Sequence, residues 1–431
     1  MNSSTVFFYR ARSAQFIGLG LCIALLSFSF VEAKALTLAQ AQARAEASNP
    51  GLKALAERYE AATQRIQQSR ALPDPRLQAT YFGESIQTRT GPQEAAYSFN
   101  QTVPWLSKLG RREDYATSEA SALGLTYRNA VLNLRRDVAL AYYEAAYLKK
   151  ALESRQANLQ LLSDLQSIVE ERVSGGGELN QLLRLNVELE WNEDKLTNLE
   201  QQQIVQRARL AALVAESAVT DAALDALTPK VSVGQDTMPN LSRLELAMLA
   251  NNPELLSLKQ SIGSAEFRTE LAKLERYPDF TLGLNYIDVG SPILASTPDA
   301  GKDPWGVSIA MNLPIWEGKN RAGVREAQAM QRSAEAMYQD RALQMKAALS
   351  GAVARRDEAI GRVGRYRDSL LPLADQALEN TRSGYESGRL SVLDMIDSER
   401  SILDLKLTYW RAVSDLNQAE AIITALTGRI H

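Results

Sequence analysis

Two aspartates, three residues apart, are the side chains in this sequence whose type and spacing could do chemistry. Asp394 and Asp397 lie in the stretch SGRLSVLDMIDSER, which contains Gly388. On a helix that begins near Leu390, residues three apart share one face, and a helix N-terminus favours acidic side chains through its dipole. A solvated helix start therefore explains both acids without any function. If several copies met on an axis, each aspartate would instead form a ring of carboxylates, and such rings bind and select cations in pores.

The side chains that usually accompany catalytic acids are absent from the sequence. It contains one cysteine, Cys22, and one histidine, His431, so neither a Cys-His or Ser-His pair nor a His/Cys metal cluster is indicated. The formal net charge of −3 gives no indication of nucleic-acid binding. We predict no catalytic residue, no cofactor, no resident metal, no nucleic-acid partner and no enzymatic activity.

The N-terminal segment, residues 1–33, has the organisation of a signal peptide. Two arginines precede an apolar run of about 16 residues that ends at Val31, which is short for a membrane-spanning helix. Ala33 and Ala35 are both suitable cleavage sites. Cys22 lies inside the apolar run instead of following it, which argues against a lipid-modified N-terminus. We therefore expect the mature chain to contain no cysteine.

An internal duplication identifies the elements that position the aspartates. Three segments recur in the same order, namely 49–75 with 252–279, 99–112 with 310–323, and 174–190 with 386–402. Such self-similarity indicates repeated structural units. We divide the mature chain into a first repeat at 34–217, a linker at 218–240 and a second repeat at 241–431. The aspartates belong to the second repeat, and the matching segment of the first repeat, GGGELNQLLRLNVELE, lacks them.

Long helices are predicted in both repeats. No proline occurs between Pro104 and Pro229, and a helix could run from Arg111 to about Val173. Within it, apolar residues follow the 4-3 spacing of a coiled-coil seam: Tyr127, Val131, Leu134, Val138, Ala141, Ala145 and Leu148. An ordinary antiparallel bundle would show the same pattern. In the second repeat, Pro372 should kink the long helix or mark a junction between two helices.

Two strand hairpins are predicted, at about 76–103 and about 279–314. Apolar residues alternate with small polar ones along them, as in a membrane barrel and also in a half-buried soluble sheet. Four strands cannot close a membrane barrel, which needs at least about eight. Either the strands form a small soluble sheet or several chains contribute to one barrel. Tyr286 and Trp305, which flank the loop at 287–304, would suit an aromatic girdle at a membrane interface.

With these features the sequence resembles the TolC-like outer-membrane efflux channel family over nearly the whole mature chain. The resemblance rests on Asn49-Pro50 and Asn252-Pro253, on PWLSKLGRR and PIWEGKNR, and above all on YESGRLSVLDMIDSERSILDLKLTYWRA at 385–412. It implies a mainly α fold with a small β membrane part, built from a duplicated unit of strand hairpin and long helix. It also implies a homotrimer with a twelve-stranded β-barrel in the outer membrane, continued into the periplasm by an α-helical barrel.

The resemblance implies an exit duct of a tripartite efflux system, with outer-membrane lipid, a periplasmic adaptor and an inner-membrane pump as partners. The periplasmic tips would lie at the glycine turns, Gly175, Gly176, Gly177 and Gly388. Asp394 and Asp397 match entrance acids of the family, and Tyr385 matches a tyrosine that latches the closed tip. The acidic latch partner expected in the first repeat is replaced by Leu183, although Asn180 or Gln181 could substitute.

Within the family, PWLSKLGRR most resembles members paired with heavy-metal pumps. An exit channel for type I protein secretion is an alternative within the same duct role. A soluble periplasmic coiled-coil scaffold or adaptor with a small β-domain is the alternative from another class of protein. An outer-membrane channel should fractionate with the outer membrane, need detergent and form a trimer, whereas a soluble scaffold should be released with the periplasm.

Overall fold

The computed structural model describes residues 36–176, 179–216, 240–292 and 298–429. The predicted signal peptide, Gly177 and all of the predicted linker except Asn240 lie outside the described residues. The elements follow in the order α1 Leu38–Ser48, α2 Pro50–Arg70, β1 Arg76–Thr88, β2 Gly91–Val103, α3 Leu106–Ser174, α4 Leu179–Val214, α5 Leu241–Asn251, α6 Pro253–Leu274, β3 Phe280–Val289, β4 Trp305–Met311, α7 Glu317–Arg365, a π-helical turn Tyr366–Leu370, α8 Leu371–Glu386 and α9 Val392–Leu426. The prediction of a mainly α-helical chain with a small β part is confirmed.

Equivalent capping asparagines begin a helix in each half of the chain. The Asn49 side chain accepts a hydrogen bond from the Leu52 N–H at 3.1 Å, and Asn252 accepts from Glu254 N–H at 2.9 Å. A proline follows each asparagine in the first helical turn, where its missing N–H would have had no helical partner. The two Asn-Pro pairs thus fix the starts of α2 and α6.

The longest helix, α3, buries the seam that its sequence predicts. It has 69 residues, so at about 1.5 Å per residue it extends roughly 100 Å. Five of the seven seam positions are fully buried, and the other two, Tyr127 and Val131, are partly buried against the same cluster. Helices α1, α2 and α4 supply facing apolar residues of that cluster. Removal of these side chains from water stabilises the helix, which propensity alone would not hold at this length.

The corresponding long helix of the second half is interrupted by the predicted junction at Pro372. The turn before it is π-helical, and the Leu371 N–H donates to the Tyr366 carbonyl, five residues back. Proline has no N–H, so Pro372 cannot continue the α-helical hydrogen bonds of α7. The π-turn absorbs this defect by accommodating one extra residue. The prediction of a helix junction at this proline is confirmed.

The four strands form one antiparallel sheet in the order β1-β2-β3-β4. The central pair joins the two halves of the chain, because β2 belongs to the first hairpin and β3 to the second. In that pair Tyr97 lies opposite Tyr286, and Phe99 lies opposite Leu284. Next to it, Tyr286 lies opposite Trp305 across β3 and β4. The register therefore aligns side chains of both hairpins in continuous rows across the sheet.

The two faces of the sheet differ sharply in polarity. The apolar face is exposed to a degree that a water-soluble sheet would avoid; it carries Leu77, Tyr81, Tyr97, Phe99, Leu282, Leu284, Tyr286, Trp305, Val307, Ile309 and Met311. The opposite face carries small or polar residues, including Ser98, Asn100, Gly283, Asn285 and Ser308. None of the described helices is both long enough and apolar enough to cross a membrane.

Candidate functional site

Two helical hairpins meet at one end of the helices. In the α3–α4 hairpin, Gly176 adopts φ +101°, and in the α8–α9 hairpin, Gly388 adopts φ +72°, a region that favours glycine. The two turns bring residues of α3, α4, α8 and α9 into one apolar cluster: Leu162, Leu165, Val169, Leu185, Tyr385, Val392, Met395 and Ile396. We call this end of the molecule the hairpin end of the helices. Gly175 lies in the first turn as the residue that ends α3.

Asp394 is the third residue of α9 and takes part in a capping box. Its N–H donates to Ser391 Oγ at 3.3 Å, and its carboxylate accepts from the Ser391 N–H at 2.8 Å and from the Ser391 hydroxyl at 2.7 Å. These hydrogen bonds hold the pKa of Asp394 below the usual aspartate value. The carboxylate therefore remains charged throughout the physiological pH range.

Asp397 lies one helical turn further along the same exposed face of α9. Both aspartates are exposed, and the Asp397 carboxylate is 3.9 Å from the Arg400 guanidinium. An exposed pair of this kind contributes at most about 1 kcal/mol. In the single chain, the structure thus places both predicted acids on one open surface, where a neighbouring molecule or an ion could reach them.

Tyr385 is buried in the apolar cluster at the hairpin end. Its hydroxyl makes no hydrogen bond to any described residue, and the Arg172 guanidinium lies 4.6 Å from the centre of its ring. Leu183, at the position where the first repeat would supply an acidic partner, is exposed. Within this chain, Tyr385 therefore contacts the α3–α4 hairpin through packing and a cation–π interaction.

A polar network, which the sequence did not reveal, crosses the helices behind the aspartates. Arg400 of α9 forms an ion pair with Glu188 of α4, and Glu188 is buried. The Asn192 side chain donates to Glu188 Oε1 at 3.0 Å and accepts from Arg155. Loss of Arg400 would leave Glu188 as an uncompensated buried charge. This network fixes α4 against α3 and α9.

Glu399 is a buried acid with an incomplete set of hydrogen bonds. Its side chain is 5% exposed, its Oε1 has no described partner, and Asn158 of α3 supplies the hydrogen bond that it does make. Burial raises the pKa of Glu399 above its usual range, against the opposing effect of Lys406 and Arg382. A raised pKa in the native state means that protonation favours folding.

We expect Glu399→Gln to stabilise the protein at pH 7. Glutamine keeps the shape and the bond to Asn158 but removes the buried charge, so a gain of about 1 kcal/mol is expected. The pKa of Glu399 is higher in the native state than in the unfolded state, so the wild-type protein becomes more stable as the pH falls through the native pKa. The difference in stability between the wild type and Glu399→Gln therefore becomes smaller at acidic pH. Thermal unfolding in detergent at neutral and mildly acidic pH measures this. The exposed Glu379→Gln variant should show no such effect, and an equal gain at both pH values would contradict the assignment.

Aromatic side chains mark both ends of the exposed sheet face. At the strand-turn end, Tyr97, Tyr286 and Trp305 form one row, with the two tyrosine ring centres 6.3 Å apart. At the helix end, Trp105 stacks on Tyr277 with ring centres 5.1 Å apart. The sequence pointed to Tyr286 and Trp305 but not to Tyr97, because only the register reveals that β2 completes the row.

The junction between the sheet and the helices is organised by Asp279, just before β3. One of its carboxylate oxygens accepts from the Trp105 N–H at 3.0 Å and from Lys108 Nζ at 3.0 Å. Lys108 is 1% exposed and also donates to the Tyr277 carbonyl at 3.1 Å. Asp279, from the second half of the chain, therefore accepts a hydrogen bond from the N–H at the start of α3 and forms an ion pair with the buried Lys108 of the first half.

No group of three or more His, Cys, Asp and Glu side chains within residues 36–176, 179–216, 240–292 and 298–429 is arranged to hold a metal ion. The described residues do place exposed carboxylates at the hairpin end and an exposed apolar sheet face at the other end.

Known proteins are similar to this chain in sequence and in fold. Residues 246–429 match the family model described as "Outer membrane efflux protein". The chain is 21% identical over 387 residues to the cobalt-zinc-cadmium resistance protein CzcC of Cupriavidus metallidurans, and that alignment covers 89% of this chain and 87% of CzcC. It is 27% identical over 199 residues to the probable outer membrane lipoprotein SilC of Salmonella typhimurium, covering 44% of this chain and 41% of SilC. The alignment with SilC thus spans less than half of each protein.

The fold is similar to that of a solved outer-membrane protein. The crystal structure of VceC from Vibrio cholerae superposes with a TM-score of 0.73 at 21% identity, over 91% of this chain and 96% of VceC. The match to the family model covers the second half, which holds the capping box at Asp394, and the structural similarity covers both halves. Over residues 246–429 the chain is thus similar in sequence to outer membrane efflux proteins, and over most of its length it has the fold of VceC.

Proposed function

We propose that three copies of this chain form the outer-membrane exit duct of a tripartite efflux system. The observation that carries the proposal is the sheet, whose apolar face is exposed along its length. In the described residues, β1 and β4 each pair with one strand only, so both edges of the sheet carry free N–H and C=O groups. A membrane offers no water to satisfy those groups, so the edges must pair with further strands.

The edge strands β1 and β4 can find hydrogen-bond partners if several copies of the chain pair side by side and close one barrel. Two copies would give eight strands, which make a barrel that side chains fill, whereas three give twelve and leave room for a water-filled lumen. The apolar face would contact lipid and the small polar face would line the lumen. The aromatic rows, with Tyr286 and Trp305 at the strand-turn end, would then lie at the membrane interfaces.

The helices would continue this lumen into the periplasm, and the hairpin end would form the entrance. In a trimer, Asp394 and Asp397 would each provide a ring of three carboxylates at the constriction. Tyr385 and the glycine turns around Gly175, Gly176 and Gly388 would shape the tip of each hairpin. We propose this end as the contact for a periplasmic adaptor, which an inner-membrane pump would drive.

Metal cations are the substrates that we propose. Two observations support this class: the name of CzcC, a cobalt-zinc-cadmium resistance protein, and the exposed acids on α9. A cation passing rings of carboxylates would be attracted without being held in a closed site. Growth of a deletion strain in cobalt, zinc and cadmium salts tests the substrate class, and unchanged tolerance to all three would contradict it.

The duct itself can be tested with the purified protein. We expect it to be extracted from the outer membrane only with detergent, to have the mass of three chains, and to conduct ions across a planar lipid bilayer. A monomer that is released with soluble periplasmic proteins would overturn the proposal and favour a scaffold role.

Neutralising both acids, Asp394→Asn with Asp397→Asn, should lower the preference for cations several-fold in bilayer recordings. The rings would lose their charge while the helix start keeps polar side chains that can still cap it. Hydrogen bonds from Ser391 lower the pKa of Asp394, whereas like charges in a ring raise the pKa of its members, so the wild-type preference should be present at pH 7 and should be lost as the pH falls into the aspartate range, about pH 4.

The matched control for this variant neutralises two exposed acids of α2, Glu57→Gln with Glu60→Gln. It removes the same charge far from the hairpin end and should leave selectivity nearly unchanged. An equal loss of selectivity in both double variants would show that total charge, and not the rings, determines selectivity.

A further inference from the structure

A tryptophan and a lysine at the start of α3 are covered by the other half of the chain. Trp105 immediately precedes the helix, and Lys108 follows within its first turn; we call these two residues the α3 socket. Asp279 accepts hydrogen bonds from the Trp105 N–H and from Lys108 Nζ, both at 3.0 Å. Tyr277 stacks on the tryptophan ring, and its carbonyl accepts from the lysine at 3.1 Å. The lysine is therefore only 1% exposed.

The second half of the chain repeats this pair of residues at the start of α7. The sequence WLSK at 105–108 corresponds to WEGK at 316–319, and Trp316 immediately precedes α7. We call Trp316 and Lys319 the α7 socket. Trp316 is 72% exposed, and Lys319 is exposed and forms no ion pair with another described residue. The same two side-chain types are thus covered at the first helix start and uncovered at the second.

Lys319 is also the unpaired charge of the cleft in which the α7 socket lies. That cleft has a volume of about 560 Å³, and two carboxylates line it as well, those of Glu275 and Glu326. Glu275 is 3.7 Å from the Lys108 ammonium group. Glu326 is 3.9 Å from the Arg268 guanidinium. Both carboxylates therefore have a cationic partner, and the charge that remains for a further partner is the lysine beside an exposed tryptophan ring.

The internal duplication identifies a segment of matching chemistry. The prolyl-aspartate pair before β3, at 278–279, corresponds to the prolyl-aspartate pair at 73–74 before β1. Asp74 is exposed and forms no ion pair with another described residue. Leu72 occupies the position that corresponds to Tyr277 and is 47% exposed. The first half therefore presents an unpaired carboxylate and an apolar side chain in the order in which the second half covers the α3 socket.

Strand pairing supports this correspondence between the two hairpins. Three residues after each aspartate, a leucine pairs with the returning strand: Leu77 with Phe99 in the first hairpin, and Leu282 with Ile309 in the second. Phe99 and Ile309 each stand five residues before a proline. The two hairpins therefore agree residue by residue from the aspartate to the proline that precedes the socket.

The order of the strands keeps Asp74 away from Lys319 within one chain. Asp74 precedes β1 and Lys319 follows β4, and these are the two edge strands of the sheet. Three strand spacings, about 14 Å, separate the edges, which is too far for an ion pair. Asp279 reaches Lys108 because β3 lies next to β2. A second copy whose β1 lies next to β4 would bring its own Asp74 to Lys319 in the same way.

We propose that the segment 72–74 of one chain covers the α7 socket of the neighbouring chain. The Asp74 carboxylate accepts hydrogen bonds from the Trp316 N–H and from Lys319 Nζ, and Leu72 packs on the Trp316 ring. The proposal rests on the trimer proposed above and assigns it a contact. Two different surfaces meet, so the contact is heterologous, and a three-fold rotation closes it into a ring. The trimer then has six covered sockets, three within chains and three between chains.

Carbodiimide cross-linking of the wild-type protein in outer-membrane fractions tests the contact directly. The reagent joins a lysine amine to a carboxylate that touches it. We expect covalent dimers and trimers on denaturing gels, with a linked peptide that joins Lys319 to Asp74 in those bands and not in the monomer band. Asp74→Asn should remove this linked peptide. Its presence in the monomer band, or its absence from the dimer and trimer bands, would overturn the proposal.

Charge reversal tests the contribution of the ion pair to assembly. Lys319→Asp places two carboxylates in one covered contact, so heat-resistant trimers should decrease about ten-fold on gels. Adding Asp74→Lys restores a pair of opposite charges and should recover most of the trimer. The matched control, Arg332→Asp, makes the same change of charge at an exposed position of α7 and should leave the trimer nearly unchanged. Failure of Asp74→Lys to rescue Lys319→Asp would overturn the pairing.

The same samples separate this proposal from the proposed duct. A trimer that conducts ions, tolerates Lys319→Asp and yields no peptide linking Lys319 to Asp74 would overturn the contact alone. A soluble monomer would overturn the duct as well.

Discussion

Leu284→Arg is expected to abolish stable assembly of this protein in the outer membrane. Leu284 lies in β3, in a row formed by Leu77, Phe99 and Val307, and every member of that row is apolar and exposed. The row lies between the two aromatic ends of the sheet. An arginine on the lipid face near the middle of a membrane barrel costs about 2–4 kcal/mol, and each of the three chains of a trimer would carry this cost.

The next residue along the strand provides the control. Asn285 points to the opposite face, where its side chain donates to Ser308 Oγ at 3.2 Å. In a water-filled lumen, Asn285→Arg should be tolerated and should alter conductance more than assembly. Heat-resistant trimers on gels of outer-membrane fractions measure the outcome. If Leu284→Arg assembles as well as Asn285→Arg, the apolar face does not contact lipid.

Lys108→Met should produce the largest loss of stability outside the sheet. The substitution leaves Asp279 without its lysine partner, although the Trp105 N–H still donates to it. Removing one member of a buried ion pair costs about 3–5 kcal/mol, and we expect the lower end because Asp279 keeps some contact with solvent. Since Asp279 also anchors the start of β3, the loss should loosen both the sheet and α3.

Two variants show whether the buried charge is responsible. Lys108→Met with Asp279→Asn removes both charges and should recover part of the stability lost by the single change. Arg111→Met breaks nearby but exposed ion pairs with Glu270 and Asp114, so it should cost only about 1 kcal/mol or less. The apparent unfolding temperature in detergent measures all three. A similar loss for Lys108→Met and Arg111→Met would contradict the importance of burial.

Much of the fold could be predicted because it depends on local patterns. The 4-3 spacing around Val138 describes a helix face, and that face is buried whichever helix covers it. Alternation in β3 and β4 likewise assigns the two sheet faces before any pairing is known. The proline at 372 predicts a junction because the missing N–H is a property of one residue.

The candidate site was less predictable because it depends on how separate helices are rotated against each other. The sequence shows that Glu188 and Glu399 are acidic, but only the packing of α3, α4 and α9 makes one a buried ion-pair partner and the other an incompletely bonded acid. One missed feature was visible: Ser391 followed three residues later by Asp394 is the pattern of a capping box. The exposure of Asp397 has no such local signal.

The π-turn before Pro372 has a consequence for comparing the two halves of the chain residue by residue. The starts of α3 and α7, Leu106 and Glu317, are 211 positions apart, whereas the ends of α3 and α8, Ser174 and Glu386, are 212 apart. Each residue of an α-helix advances the azimuth by about 100°. An alignment without a gap at the π-turn would therefore assign the residues of α8 to faces about a quarter-turn away from their true counterparts in α3. The faces of the two long helices therefore correspond along their whole length only when the π-turn is treated as a one-residue insertion in the second half.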